Sequence, residues 1–356
     1  DVAFAKELLP VLDRAIRGAL KYHTDSSGFL THGDADTWMD AVGPEGPWSP
    51  RGNRAVEVQA LWCGQLKHSA DIAALAGDPL KQKAWTLLEE KVVASFASAF
   101  ISPMTGLLID HLTLHNMTDE RPRPNVLLAL ASGTMLFLRA QSDETIRRTV
   151  QRCFRECVYR YGVASLSQED AAFHPYHEYP ERYPKDAAYH NGIIWTWLSG
   201  PAVSILCSHD AEDSAWVLTK ALEHLAMTQG AAGAIPECTD AIARPGETEP
   251  RWSGTFSQAW SNAEYLRSLS DDYLGLRPSA LGDSLVLTIF PALPKSIASM
   301  SSDVRVGSVT LSVRIDREEH DTWRATVRHV NGKAAVTLTL IYAAAMGNAR
   351  TVRLFP

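Results

Sequence analysis

The sequence predicts a mainly α fold, a toroid of helical hairpins, followed by a small C-terminal antiparallel β unit. Apolar residues recur at helical spacing from residue 1 to about 272, and from about 280 they alternate with polar ones. The connections supply a third observation. Long loops follow alternate helices, which gathers them on one rim, and long irregular loops in a compact domain are usually functional.

Leu8, Leu9, Leu12, Ile16 and Leu20 form the first stripe, and Leu87, Leu88, Val92, Phe96 and Phe100 form another. Further helices are expected at roughly 54–75, 124–140, 143–158, 188–208, 212–229 and 255–270, which makes eight. The long loops are 30–53, 102–123, 159–187 and 231–252, rich in Gly, Pro, Asp and aromatic residues. Near 280 the period changes. Val309, Leu311, Val313 and Ile315 alternate with polar residues, as do Val336, Leu338, Leu340 and Tyr342. Asn331-Gly332, between the two runs that flank it, reads as a hairpin turn. The expected domains are a helical barrel portion over 1–275 and a β-sandwich-like unit over 280–356.

Charge and cysteine content narrow the function classes. With a net charge of -7, the chain lacks the cationic surplus that neutralises phosphates, so no nucleic-acid partner is expected. A neutral carbohydrate is compatible with that charge. No apolar run reaches the roughly 18 residues of a membrane span, and no leader segment is read. A cytoplasmic location is therefore expected. The five cysteines are an odd number without disulfide-framework or metal-finger spacing. Cys153 and Cys157, one helical turn apart, read as small core residues. His111 and His115 share the i, i+4 spacing of a metal pair but lack a partnering carboxylate cluster, so no metal or organic cofactor is expected.

Four segments concentrate Trp, His, Asp, Glu and Arg in loops or at helix starts. They are Thr37-Trp38-Met39-Asp40 with Arg51 and Glu57; Arg123-Pro124-Asn125; Tyr189-His190-Asn191-Gly192 with Trp195 and Trp197; and Pro236-Glu237 with Gln258 and Trp260. A hydroxyl-rich sugar calls for this mixture. Indole faces cover its apolar ring face, while carboxylates and amides hold its hydroxyls.

These segments resemble the glycogen-debranching, amylo-α-1,6-glucosidase-like glycoside hydrolases. TWMDAVGPEGPWSPRGNRAVEVQALW, AYHNGIIWTWLSGP, and GAIPECTD followed by SQAWSNAEYLRSL are similar to three ordered motifs of that family, between Trp38 and Leu266. The resemblance implies an (α/α)6 toroid and an inverting, exo-acting hydrolysis of α-linked glucosides. It implies Asp40 as general acid and Glu237 as general base, with Trp38, Asp36, Arg51, Glu57, Asn125, His190, Asn191, Trp195, Gln258 and Trp260 around the sugar. Inversion needs the two carboxyls about 6.5–9.5 Å apart, with room for a water between them. Trp38, Met39 and Trp48 around Asp40 are surroundings expected to withhold water from its carboxyl and so favour the protonated acid.

Alternatives stay open at several positions. Asp40 also suits a turn before Gly43-Pro44, and Asp36 is the second choice for the acid; for the base, Glu169, Glu178, Glu181, Glu247 and Glu249 also lie in long loops. Glu57 also suits the first turn of a helix. Trp195 and Trp197 are expected on different helix faces, so that one points inward and the other packs. Trp260 is either packing or a stacking platform. The family's barrel has twelve helices against eight here, so the chain is expected to be a fragment completed by an N-terminal segment or another chain. RPNV, GIIWTW and Arg251-Trp252-Ser253-Gly254 depart from the family's RPNQ, GTVWPW and PRG. The C-terminal unit also resembles that of α-L-rhamnosidases. The substrate is therefore an oligosaccharide or polysaccharide, with another α-linked sugar or an inactive carbohydrate-binding module as alternatives.

Overall fold

A computed structural model describes residues 1–132, 143–281, 284–318, 322–343 and 348–354, with side chains to 339. Nine α-helices lie among the described residues, and the chain separates into two compact units, 1–198 with 236–256 and 199–235 with 257–356. No helix among the described residues is long and apolar enough to cross a membrane.

The first unit carries α1 (Val2–Tyr22), α2 (Val56–Ala76), α3 (Pro79–Phe100), α4 (Asn125–Ala131), α5 (Asp143–Cys157) and α6 (Lys185–Tyr189). Asp1 caps α1 by accepting from the amides of Ala3 and Phe4. Asp78 caps α3 through the amide of Lys81, with Pro79 at the first helical position. α2 packs against both α1 and α3. Its buried side includes Trp62, Cys63, Leu66, Ala70 and Ala73. Of the first expected stripe only Ile16 is fully enclosed, and Leu20 is exposed. On α3 the buried side is Trp85, Glu89, Val92, Phe96 and Phe100, with Leu87 turned outward. On that face the Cys63 thiol donates to the Glu89 carboxylate at 3.7 Å. Residues 133–140 of the helix expected at 124–140 lie outside the described residues.

The loops between these helices are tied by very short strands. β1 (Val42–Gly43) and β2 (Gly46–Pro47) make a hairpin just after Asp40. β3 (Arg54–Ala55), β4 (His111–Leu112) and β5 (Thr118–Asp119) form one three-stranded patch, and β6 (Val158–Tyr159) pairs with β7 (Gly162–Val163). β8 (Ile194–Trp195), β9 (Cys238–Thr239) and β10 (Trp252–Ser253) form another patch. The helix expected over 188–208 is therefore not continuous. The β-branched Ile193-Ile194 favours extended backbone, and residues 194–195 pair with 238–239. A 3-10 turn at Thr196–Leu198 follows.

In the second unit lie α7 (Ser199–Cys207), α8 (Glu212–Thr228) and α9 (Ala259–Arg267), the last running into a π-helical turn at Ser268–Tyr273. Leu222, Leu225 and Ile235 form a buried cluster against which Ala226 and Tyr265 pack. Seven strands follow: β11 (Leu276–Ser279), β12 (Leu285–Ile289), β13 (Ser299–Val306), β14 (Val309–Arg317), β15 (Trp323–Asn331), β16 (Val336–Ala343) and β17 (Asn348–Leu354). The alternation in β14 holds, with Val309, Leu311, Val313 and Ile315 all buried. Burying each such side chain is worth about 1.5–3 kcal/mol. Val336 is also buried, whereas the side chains of Leu340 and Tyr342 lie outside the described residues.

The Asn331-Gly332 hairpin does not form. β15 belongs to the sheet β13-β14-β15, while β16 lies between β12 and β17 in another. Residues 332–335 pass the chain between sheets, and β16 instead runs parallel to β12 and antiparallel to β17. Strand pairing is decided by neighbours distant in sequence, which overrides the local hairpin signal.

Candidate active site

In the loop over residues 37–40, Thr37 and Trp38 are half-buried, Met39 is buried and Asp40 is exposed. The Trp38 indole N–H donates to Asn125 Oδ1 at 2.7 Å. Its ring meets His190, Trp195 and Trp197 edge-on, with centroids 5.3, 5.5 and 5.4 Å away. Both tryptophans of the Trp195/Trp197 pair thus face Trp38, contrary to their expected placement on different faces of an α-helix, because Trp195 lies in a short strand and Trp197 in a 3-10 turn. Met39 is fully buried, its sulfur approached by Arg123 and Asn125 at 3.7 Å. Asp40 points the other way. Its side chain is 68% exposed, so Trp38, Met39 and Trp48 do not enclose it as expected. Its carboxylate has one polar contact among the described residues, to His190 Nε2 at 3.4 Å, and caps no turn.

Beneath this loop lies an ion network without solvent access. Arg51 is fully buried and grips Glu57 with both terminal nitrogens at 2.9 Å, while its Nε donates to Asp110 Oδ2 at 2.9 Å. The other oxygen of Asp110 receives Asn125 Nδ2 at 2.7 Å, and Asn125 in turn holds Trp38. Gly52 permits this turn. Its φ is +61°, and a Cβ there would stand 2.3 Å from the Leu112 carbonyl oxygen. Burial alone would raise the Asp110 carboxyl, but Arg51 and His111 outweigh it and hold the group below the usual carboxylate range. Burial likewise opposes the charge on Arg51, but Asp110 and Glu57 raise it above the usual range. Arg123, also buried, is lowered to about 10, mainly by burial.

The segment at the end of α6 joins these parts. Arg123 donates to the His190 carbonyl at 2.7 Å and to Asn191 Oδ1 at 2.9 Å. The Asn191 amide donates to the carbonyls of Trp48 and Ala187, and Ser49 donates to its oxygen at 2.8 Å. The His190 ring is fully buried and stacked on Trp195 at 5.0 Å. Burial first, then the nearby Arg123 and Arg51, lowers it to about 3, so it is neutral at physiological pH.

Glu237 is 7% exposed and held at both oxygens. Tyr189 Oη donates to Oε1 at 2.8 Å and the Thr255 amide to Oε2 at 2.8 Å. Gly254 makes the second contact possible, since a Cβ there would lie 2.2 Å from Oε2 and its φ is +74°. Burial, Cys238 and Glu237 push the Tyr189 hydroxyl above its ordinary range, and Asp40 adds to that push. The two carboxylates therefore act on one tyrosine, which keeps its proton and stays a donor.

The structure thus brings Trp38, Asp40, Arg51, Glu57, Asn125, His190, Asn191, Trp195 and Glu237 into one connected set within the first unit. Arg51, Glu57, Asn125, Asn191 and Trp195 are buried and mutually engaged, which makes them supports under the exposed groups. Asp36 accepts from the Gly33 amide at 2.9 Å and closes its own turn. Gln258 and Trp260 fall in the second unit, where the Gln258 carbonyl receives Asn262 Nδ2 at 2.9 Å. Arg123 and Tyr189 lie in the segments read from the sequence but without an assigned role, and Asp110 and Thr255 were not singled out. Asp110 carries a legible signal, a lone acid within Leu107-Leu108-Ile109-Asp110, whereas Thr255 acts through its amide and carries none.

Comparison with known proteins defines the class. Residues 3–267 match the family model of amylo-α-1,6-glucosidases, and the chain belongs to that family. Among solved structures, it is similar to a sialidase with a TM-score of 0.68 and 13% identity, over 92% of this chain and 30% of that one. It is also similar to a family 78 rhamnosidase of Bacillus sp. GL1, with a TM-score of 0.62 and 15% identity, over 96% of this chain and 31% of that one. At these identities the likeness is one of fold, and the chain spans less than a third of either structure's length. A comparison with curated protein sequences finds no match.

Proposed function

We propose that this chain carries the acid and base of an inverting, exo-acting glycoside hydrolase on α-linked glucosides, of the debranching amylo-α-1,6-glucosidase type. The observation that carries the reading is the anchoring of two carboxylates with opposite surroundings on consecutive residues. Exposed Asp40 contacts His190, and enclosed Glu237 contacts Tyr189. Glu237 accepts a proton from water as that water attacks the anomeric carbon. Asp40 gives a proton to the departing glycosidic oxygen, so the C–O bond breaks as the new one forms on the opposite face. The half-buried Trp38 supplies a ring for the apolar face of the sugar. The packing of α1, α2 and α3 as successive neighbours fits the helical hairpins of an (α/α)6 toroid, of which this chain would be part.

A turnover panel tests the substrate. An α-1,6-branched glucan should release glucose, whereas preferential hydrolysis of an α-L-rhamnoside would replace the substrate. Binding without turnover of any α-linked sugar would make the chain a carbohydrate-binding module.

A further inference from the structure

The geometry points to the Tyr189-His190 dipeptide as the spacer that fixes the separation of acid and base, with Tyr189 positioning Glu237 and His190 positioning Asp40. This inference rests on the glycosidase reading above for its catalytic meaning, but its structural content is independent of it. Both peptide carbonyls of the dipeptide are held. Trp195 Nε1 donates to the Tyr189 carbonyl at 2.6 Å, and Arg123 donates to that of His190 at 2.7 Å. Neither ring is free to swing. Tyr189 is stacked on His177 at 4.9 Å with an interplanar angle of 8°, and it leans on Trp195 at 4.6 Å. His190 lies between Trp195 and the edge of Trp38. Asn191, next along, ties the same segment to Trp48 and Ser49 on the loop that bears Asp40.

A rigid dipeptide touching both carboxylates converts a separation between groups 197 positions apart in sequence (Asp40 to Glu237) into a local one. That matters because inversion tolerates a carboxyl separation only within a few ångströms, about 6.5–9.5 Å. The titratable groups that interact with Glu237 are Tyr189, His177 and Cys238, and Asp40 also acts on Tyr189. Among these, Tyr189 is the one that donates to the carboxylate in the described contacts.

The test is Tyr189→Phe, which keeps the ring and its stacking and removes the hydroxyl. Loss of a hydrogen bond to a charged group predicts kcat lower by about 10- to 100-fold with KM within about twofold. The acidic limb of the kcat/KM profile should move to higher pH, because a donor to the carboxylate has been removed. A changed KM with an unmoved limb would overturn the positioning role. His190→Gln, which keeps a donor, should retain most of the activity that His190→Phe loses; equal loss in both overturns the His190 half.

A second readout needs no activity. Carbon-13 NMR of side-chain-labelled glutamate, assigned by the signal missing in Glu237→Gln, follows Glu237 in the free chain. Its carboxyl resonance should move in Tyr189→Phe as the hydroxyl contact is lost, and an unmoved resonance overturns the proposal. If the resonance moves while the wild type hydrolyses no α-linked sugar, the functional reading fails and the positioning contact stands.

Discussion

Glu57→Gln should destabilise the first unit by about 3–5 kcal/mol, although it changes one atom in kind and almost nothing in volume. The buried cluster contains two cations, Arg51 and Arg123, and two anions, Glu57 and Asp110, so its charges balance. Neutralising Glu57 leaves Arg51 and Arg123 sharing Asp110 alone, so the buried cluster carries one uncompensated positive charge. Glutamine also presents one N–H toward an Arg51 nitrogen that is itself a donor, which costs a further share of about 1–3 kcal/mol within that total. The double variant Arg51→Met/Glu57→Met restores balance, because Asp110 keeps Arg123 as counter-charge and keeps its contacts to Asn125 and His111. It should therefore cost at least about 1.5 kcal/mol less than the sum of the single changes. Urea unfolding followed by tryptophan fluorescence reads this directly, since Trp38 hangs from the same network through Asn125. A Glu57→Gln loss below about 1 kcal/mol, or an additive cycle, would refute the reasoning.

The same burial makes the fold sensitive to mild acid. His190 is lowered to about 3 when folded and has its ordinary value when unfolded, so below pH 6.5 the unfolded chain gains a proton that the native one refuses. Stability should fall by about 2 kcal/mol between pH 7 and pH 5 from this residue alone, and His177 and His32, also lowered mainly by burial, add in the same direction. Asp110, held low, adds its loss only below the ordinary carboxylate range and leaves that window clear. Urea midpoints at pH 7, 6 and 5 should decline, and a flat or rising series contradicts the assignment. Asp40→Asn should lower turnover of an α-1,6-linked glucan by about 10²–10⁴-fold, yet spare much of the hydrolysis of α-glucosyl fluoride, whose leaving group needs little protonation. Equal losses on both substrates would remove Asp40 from the acid role.

Much of this was legible in the sequence because the informative residues obey local rules. The periodicities of 56–76, 79–100 and 309–317 are carried by residues whose neighbours along the chain share their environment. Leu87 and Trp85 show where that stops: both satisfy helical spacing on α3, and only the partner α2 decides which is buried. The break at 190–198 was missed because its cause is pairing with Cys238–Thr239, more than 40 positions away. At the site, residue types were readable but their roles were not. Arg51 and Glu57 sit close enough in sequence to suggest a shared place, yet nothing local shows that Asp110 lies beneath them and closes them off from solvent. The exposure of Asp40 was misread for a related reason: Trp38 and Met39 are its neighbours in sequence, but both turn inward toward Asn125 and Arg123.

The most direct test of the central claim is the anomer first released from an α-1,6-branched glucan, followed by time-resolved proton NMR before mutarotation. β-Glucose is expected as the first product of the wild-type chain and, in Glu237→Gln with its fold retained, a rate lower by at least about 10²-fold. α-Glucose as the first product, or near-wild-type turnover in Glu237→Gln, would contradict it.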